Sequence, residues 1–119
     1  MSEHGRYRTT TICGSMRFFP HMLDAAKQLS RERYVVIMPF VTFSADEQLS
    51  DPDKKMLDDM HFYKISISDG IHVVTVDHYV GESTRREIEF AKRTGKTVTF
   101  LDFDGTLWTR SGGPGDDAA

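Results

Sequence analysis

Apolar residues along the chain occur in two alternating patterns. Short runs rich in β-branched residues predict strands, and four such runs are Thr9–Cys13, Tyr34–Met38, Gly70–Val76 and Thr97–Leu101. The run Tyr34–Met38 is apolar without interruption, which is typical of a strand covered on both faces of a parallel sheet.

Between these runs the apolar residues recur at the three-and-four spacing of helices. The first helix is predicted from Phe19, with Met22, Leu23, Ala26 and Leu29 on its buried face. The second begins at Asp51 as N-cap with Pro52 at the first position and runs to about Ser66. A third follows residues 77–83 and ends at Gly95.

Strands that alternate with helices predict an α/β domain with right-handed crossovers. We expect a small Rossmann-like (flavodoxin-like) three-layer domain over residues 1–104, with a parallel sheet of four to five strands. Residues 105–119 are predicted to be a disordered tail, because "SGGPGDDAA" has nothing to bury. Residues 39–50 show no clear period, and we interpret this long loop as a candidate lid.

Composition narrows the class of protein. The chain has 119 residues, of which 39% are hydrophobic and 28% charged, and no apolar run approaches the ~20 residues that cross a bilayer. A polar N-terminus and the lone Cys13 favour a cytoplasmic protein in a reducing compartment. The net charge of −3 argues against binding to polymeric DNA or RNA.

In such sheets ligands bind beyond the carboxyl ends of the strands, so loops 14–18, 39–50 and 77–83 are the candidate binding loops. "CGSMR" (13–17) and "GEST" (81–84) both offer glycine and hydroxyl groups ahead of a helix. With Arg17 and Arg86 nearby, the two loops suit one phosphate group.

Glu87 has two readings. The spacing Thr84-x-x-Glu87 matches a capping box, in which the glutamate only stabilises the start of a helix. Its helical neighbours are Ser83, Thr84, Phe90 and Ala91, which place its carboxylate between the binding loop and the apolar side, as a catalytic residue requires. Glu89 is instead surrounded by basic residues and is predicted to be structural.

Other candidate chemistry is weaker. His21, His61, His72 and His78 show no metal-binding spacing, so we predict neither a metal nor another cofactor. "DFDGT" (102–106) resembles the nucleophile motif of haloacid-dehalogenase-type phosphatases, but only 15 residues follow Asp104. A phosphatase based on Asp102 is therefore the weakest hypothesis.

Taken together, "TTTICGSMR", Asp69 and "STRREIEFAKRTGKTV" resemble the nucleoside 2-deoxyribosyltransferase superfamily, and most closely its 2'-deoxynucleoside 5'-phosphate N-hydrolase branch. The resemblance implies that Glu87 attacks C1' of a nucleoside 5'-monophosphate, expels the base and forms a glycosyl-enzyme ester. It also implies a homodimer or higher homo-oligomer. The implied substrate-binding residues are Cys13, Gly14, Ser15, Arg17, His61, Gly81, Ser83 and Thr84.

The chain departs from that family at several positions. Many relatives carry an aspartate on the central helix, and counting back from Asp69 places His61 there, with Asp58 or Asp59 as alternatives. Thr11 stands where a tyrosine is expected. The alternative hypothesis is therefore a nucleotide-binding or sensing module without turnover.

Overall fold

The computed structural model describes residues 7–39 and 50–113. A short 3₁₀ turn, Met16–Phe18, precedes the first helix. The strands and helices are β1 (Arg8–Cys13), α1 (Phe19–Arg31), β2 (Tyr34–Ile37), α2 (Asp51–Ser66), β3 (Gly70–Val76), α3 (Glu82–Arg93), β4 (Thr97–Phe103) and β5 (Trp108–Gly112).

The five strands form one sheet in the order β2-β1-β3-β4-β5. Strands β1 to β4 are parallel, whereas β5 pairs with β4 in the antiparallel direction. The order 2-1-3-4-5 is that of flavodoxin-like sheets. The predicted Rossmann-like α/β fold is therefore confirmed, with a sheet that is mostly parallel.

Each face of the sheet carries its own apolar core. On one face α1 contributes Met22, Ala25 and Leu29 to a cluster with Ile12, Val74 and Leu101. On the other face α2 and α3 cover a cluster of Cys13, Ile65, Ile71, Val73, Ile88 and Ala91. Alternate side chains of a strand point to opposite faces, so neighbours such as Ile12 and Cys13, or Val73 and Val74, serve different cores. The helices and sheet thus make three layers.

The prediction that residues 105–119 form a disordered tail is wrong for residues 105–113. Asp104 Oδ1 accepts hydrogen bonds from the amides of Thr106 and Leu107, at 2.8 Å each, and so forms a tight turn. Gly105 adopts φ of 99° in this turn, and β5 then pairs with β4. Arg110 of β5 also makes a bidentate ion pair with Glu32, at 2.9 and 3.0 Å. Residues 114–119 lie outside the described residues.

The sequence predicts Asp51 as the N-cap of α2, but the N-cap is Ser50. Ser50 Oγ accepts a hydrogen bond from the amide of Asp53 at 3.2 Å, while Pro52 lies in the first turn. A serine and an aspartate are comparable N-caps, so the sequence alone could not choose between adjacent candidates.

Of the candidate lid, residues 40–49 lie outside the described residues. No helix within 7–39 and 50–113 is both long and apolar enough to cross a membrane.

Candidate functional site

A cavity of about 290 Å³ opens at the carboxyl ends of β1 and β3. The chain runs from β1 to one side of the sheet and later returns as β3 on the other side, so the cavity lies at the topological switch point, where ligands bind in such folds. Its lining residues are Gly14, Ser15, Met16, Pro39, Asp58, His61, Gly81, Glu82, Ser83, Thr84 and Glu87.

The loop after β1 depends on Gly14. This residue has φ of 151°, and a Cβ there would lie 2.6 Å from the Val74 carbonyl oxygen and 2.9 Å from the Met22 methyl carbon. Only glycine fits so close to β3. Ser15 follows at the cavity wall, and its Oγ accepts a hydrogen bond from Arg17 Nε at 3.2 Å. The Arg17 guanidinium also stacks over the Tyr79 ring, 4.6 Å from its centroid.

The start of α3 forms the opposite wall. Gly81 is its N-cap, without a side-chain cap, and Arg85 donates the first intrahelical hydrogen bond to the Gly81 carbonyl at 2.9 Å. First-turn amides ahead of that bond have no intrahelical acceptor and favour anions. Arg86 Nη2 donates to Ser83 Oγ at 3.5 Å. Each of the two binding loops therefore has a serine in contact with an arginine.

The capping-box reading of Glu87 is wrong, because α3 begins earlier than that reading requires. Thr84 is the third residue of the helix, and Glu87 lies in its second turn, past the reach of the N-cap amide. The Glu87 side chain is 14% exposed, and its Oε1 lies 3.5 Å from His61 Nε2. Glu89, two residues later, is exposed as expected. The carboxylate of Glu87 thus faces the cavity and contacts α2.

Cys13 lies behind the cavity wall. It is fully buried, does not line the cavity, and its Sγ lies 3.4 Å from His61 Nε2. Burial raises the pKa of the Cys13 thiol well above its usual value, and the negative Glu87 raises it further. The predicted contact of Cys13 with substrate is therefore not supported, because the thiol is fully buried. Its neutral sulfur lies beside His61 and Glu87 instead.

The remaining predicted residues divide into two groups. The cavity lining brings together seven of them, which are Gly14, Ser15, His61, Gly81, Ser83, Thr84 and Glu87. Arg17 does not line the cavity and reaches it only through Ser15. Of the two proposed alternatives to His61, Asp58 lines the cavity and Asp59 does not.

Met16, Pro39 and Glu82 also line the cavity; each lies in a predicted binding loop, but none was among the individual residues predicted to bind substrate. Asp58 precedes His61 by one helical turn, and residues three apart share a helix face, so that spacing was a usable signal. Glu82 precedes Ser83 in the binding loop. Its side chain is 83% exposed and lies 3.9 Å from Arg86.

A second carboxylate lies at the same edge of the sheet, outside the cavity lining. Asp102 is 5% exposed, and its Oδ1 accepts hydrogen bonds from Thr75 Oγ1 at 2.6 Å and from the His78 amide at 2.7 Å. Asp77 and His78 both have positive φ, 51° and 63°, and the Tyr79 backbone amide donates to the Val76 carbonyl across this turn. Asp102 therefore stabilises a turn that strained non-glycine residues form.

Comparison with known protein families and with curated proteins finds no match to this sequence.

Proposed function

We propose that this protein is an N-glycosidase or deoxyribosyltransferase that cleaves the base-sugar bond of a nucleoside 5'-monophosphate, with Glu87 as nucleophile. One observation carries the proposal. A largely buried carboxylate faces a cavity at the switch point of the sheet, together with two hydroxyl-bearing loops. This combination suits a sugar at the carboxylate and an anion at the loops.

The proposed reaction is a double displacement. A Glu87 oxygen attacks C1', the C1'–N bond breaks, and its electron pair leaves with the base, which takes up a proton. A glycosyl-enzyme ester results, as in retaining glycosidases. Water then attacks C1' of the ester in a hydrolase, or a second base attacks it in a transferase, and the Glu87 carboxylate is released.

His61 has a positioning role in this proposal. Its Nε2 lies 3.5 Å from Glu87 Oε1 and 3.4 Å from Cys13 Sγ, and in the Nε2–H tautomer this nitrogen can donate to the carboxylate. A hydrogen bond of this kind would orient the carboxylate and leave its second oxygen for C1'. The packing of His61 on α2, with 3% exposure, restricts the geometry further.

The proposal assigns the 5'-phosphate to the space between the loop after β1 and the first turn of α3. Ser15, Ser83 and Thr84 supply hydroxyl groups from two loops, and the first-turn amides of α3 favour an anion. Arg17 at Ser15 and Arg86 at Ser83 supply positive charge, which offsets the carboxylates of Asp58, Glu82 and Glu87 around the cavity. These groups favour a nucleotide over a free nucleoside and a hydrolase over a transferase.

The test is a chromatographic screen for free base released from ribo- and deoxynucleoside monophosphates. We expect the wild-type chain to release base from at least one of them and Glu87→Gln to release none. Glu89→Gln is the matched control, because it makes the same change on the exposed side of the same helix. Equal rates for wild type and Glu87→Gln would refute the nucleophile, and addition of a second base separates hydrolase from transferase.

A binding or sensing module without turnover is the second candidate. The contact of His61 with Glu87 favours this candidate, because a histidine that donates a hydrogen bond to the carboxylate also reduces its reactivity as a nucleophile. This candidate predicts thermal stabilisation that rises with nucleotide concentration, with no base released by the wild-type chain. Absence of any thermal shift with the whole nucleotide panel would count against both candidates.

A homodimer or higher homo-oligomer is part of the first proposal. Helix α2 presents a second apolar face to solvent, comprising Met56, Met60, Tyr63 and Ile67, which are 46–66% exposed. Their spacing of four, three and four residues places them on one side of the helix. Light scattering coupled to size-exclusion chromatography tests this point, and a monomer at all concentrations would contradict it.

A further inference from the structure

Three side chains of types that commonly bind transition metals meet at, and just behind, the inner wall of the cavity. They are Cys13 from β1, His61 from α2 and Glu87 from α3, and one ligand atom of each lies within 4.8 Å of the other two. We propose that these side chains form a binding site for a thiophilic divalent cation, Zn²⁺ above all, and that occupancy of this site inhibits the enzyme. The inhibition rests on the proposed function, whereas the metal binding does not.

The distances suit a tetrahedral ion. Zinc binds sulfur at about 2.3 Å and nitrogen or oxygen at about 2.0–2.2 Å, so neighbouring ligand atoms of a tetrahedral site lie roughly 3.3–3.6 Å apart. Cys13 Sγ lies 3.4 Å from His61 Nε2, and His61 Nε2 lies 3.5 Å from Glu87 Oε1. Two of the three separations therefore already match, and the third, between Cys13 Sγ and a Glu87 oxygen, is within 4.8 Å.

Charge and ligand type also favour zinc. A thiolate and a carboxylate together neutralise a divalent ion, and a neutral site is the arrangement that tolerates burial. Sulfur and imidazole ligands select zinc over magnesium or calcium, which prefer oxygen. Binding forms a bond between Zn²⁺ and sulfur and releases the Cys13 thiol proton to solvent, while His61 changes to the Nδ1–H tautomer so that its Nε2 lone pair binds the ion.

The three ligands leave one position of the ion open. His61 and Glu87 line the cavity and Cys13 lies behind them, so the ion enters from the cavity and its fourth position faces the same space. A zinc site with three protein ligands and one open position normally holds water. Because Glu87 then has its carboxylate on the metal, it is not free to attack C1'. Zinc is therefore expected to switch off base release.

The first test measures binding and needs no substrate. The full chain is titrated with Zn²⁺ by calorimetry and with Co²⁺ by absorption, where a thiolate-to-cobalt charge-transfer band reports sulfur coordination. We expect one ion per chain in the wild type, and Cys13→Ser and His61→Asn to weaken binding by at least about a hundredfold, beyond what loss of a supporting hydrogen bond causes. The exposed His78 provides the matched control, since His78→Gln removes a histidine without touching the cluster.

Two variants guard against misfolding, since either Cys13→Ser or His61→Asn alone is informative if the other fails to fold by circular dichroism. Wild-type affinity in the folded variants, or no cobalt-thiolate band in the wild type, would overturn the metal site.

The second test adds Zn²⁺ and then a chelator to the base-release assay. Zinc binding without any base release in metal-free protein refutes the proposed function and keeps the site, whereas base release that zinc leaves unchanged refutes the inhibition.

Discussion

Two regions at the carboxyl edge of the sheet each combine a largely buried carboxylate with a histidine, yet they differ in what else the carboxylate contacts. Asp102 Oδ1 accepts hydrogen bonds from Thr75 and from the His78 amide, Oδ2 lies 3.6 Å from His78 Nε2, and the residue borders a smaller cavity of about 150 Å³. Glu87 contacts His61 and faces a cavity of about 290 Å³. A buried carboxylate that stabilises the chain and one available to a ligand are therefore distinguished by their neighbours, not by residue type.

The difference follows from the position of each region in the sheet. β3 and β4 are adjacent and parallel along seven registered pairs, so side chains at their ends meet directly and Asp102 contacts Thr75. β1 and β3 are also adjacent, but the chain leaves them in opposite directions, and the loops diverge. That divergence leaves space beside Glu87.

Gly14 is the first target, because the cavity region depends on the close approach of its loop to β3. Gly14→Ala is expected to lower the free energy of unfolding by about 3–5 kcal/mol, since the new methyl group overlaps the Val74 carbonyl and the backbone is strained. Chemical denaturation measures the change. Gly95→Ala is the control, because Gly95 has φ of 79° but no atom within 4 Å of the new carbon. Equal losses for both would show that only backbone strain matters.

His72 lies outside both regions, and we expect it to make the free energy of unfolding sensitive to acid. Burial, and then the nearby positive charge of Arg110, lowers its pKa to about 4; its Nδ1 lies 2.6 Å from Thr10 Oγ1 and its ring packs on Tyr34. The unfolded chain protonates His72 near pH 6.5 and the native chain only near pH 4, so the unfolded state binds more protons between these values. The free energy of unfolding should therefore fall by up to about 3 kcal/mol as the pH drops through this window.

The measurement for His72 is the urea midpoint at several pH values. His72→Gln should flatten the profile between pH 6.5 and about 5. Below that range the ion pair of Glu32 with Arg110 adds a separate loss, because its hydrogen bonds to Arg110 lower the pKa of Glu32 and its stabilisation disappears once the native carboxylate is protonated. An unchanged profile in His72→Gln would assign the acid sensitivity to other groups.

Asp102 is the structural member of the comparison. Asp102→Ala is expected to lower the free energy of unfolding by about 1–3 kcal/mol, because the Thr75 hydroxyl and the His78 amide lose their acceptor. Asp102→Asn keeps an oxygen in place and should lose less. Both variants should retain base release within a few-fold of wild type. Abolished turnover with unchanged stability would reverse the roles assigned here and revive the phosphatase hypothesis.

Arg17 has the smallest expected effect, since it contacts the cavity only through Ser15. Arg17→Ala should raise the KM for a nucleoside 5'-monophosphate by about tenfold, the size of one hydrogen bond to a charged group, and should leave the KM for the free nucleoside nearly unchanged. Arg93→Ala, at the other end of α3, controls for loss of positive charge. An equal effect on both substrates would contradict a phosphate site at Ser15 and Arg17.

Most of the fold was predictable, because strands and helices reflect periodicity within short segments. β5 was missed for an identifiable reason. The Asp104-Gly105 pair between two β-rich runs is a strong hairpin signal, but the sequence hypothesis for "DFDGT" covers only its likeness to a phosphatase nucleophile motif. Its true role is the turn that Asp104 caps.

The site was predictable in part. The loops and Glu87 follow from strand order and from local motifs, whereas the contact of Cys13 with His61 joins residues 48 positions apart. Such a contact depends on how α2 packs on the sheet, and no spacing in the sequence reports it. The start of α3 was also misplaced, because a T-x-x-E pattern resembles a cap wherever it occurs, and here Gly81 begins the helix.

The rate of base release by Glu87→Gln, measured beside its unfolding free energy, tests the central claim most directly. If Glu87 is the nucleophile, the variant should lose at least about a thousandfold in turnover and unfold within about 1 kcal/mol of wild type, because the glutamine amide keeps an oxygen at the position that His61 Nε2 contacts. Wild-type turnover in folded Glu87→Gln would contradict the account.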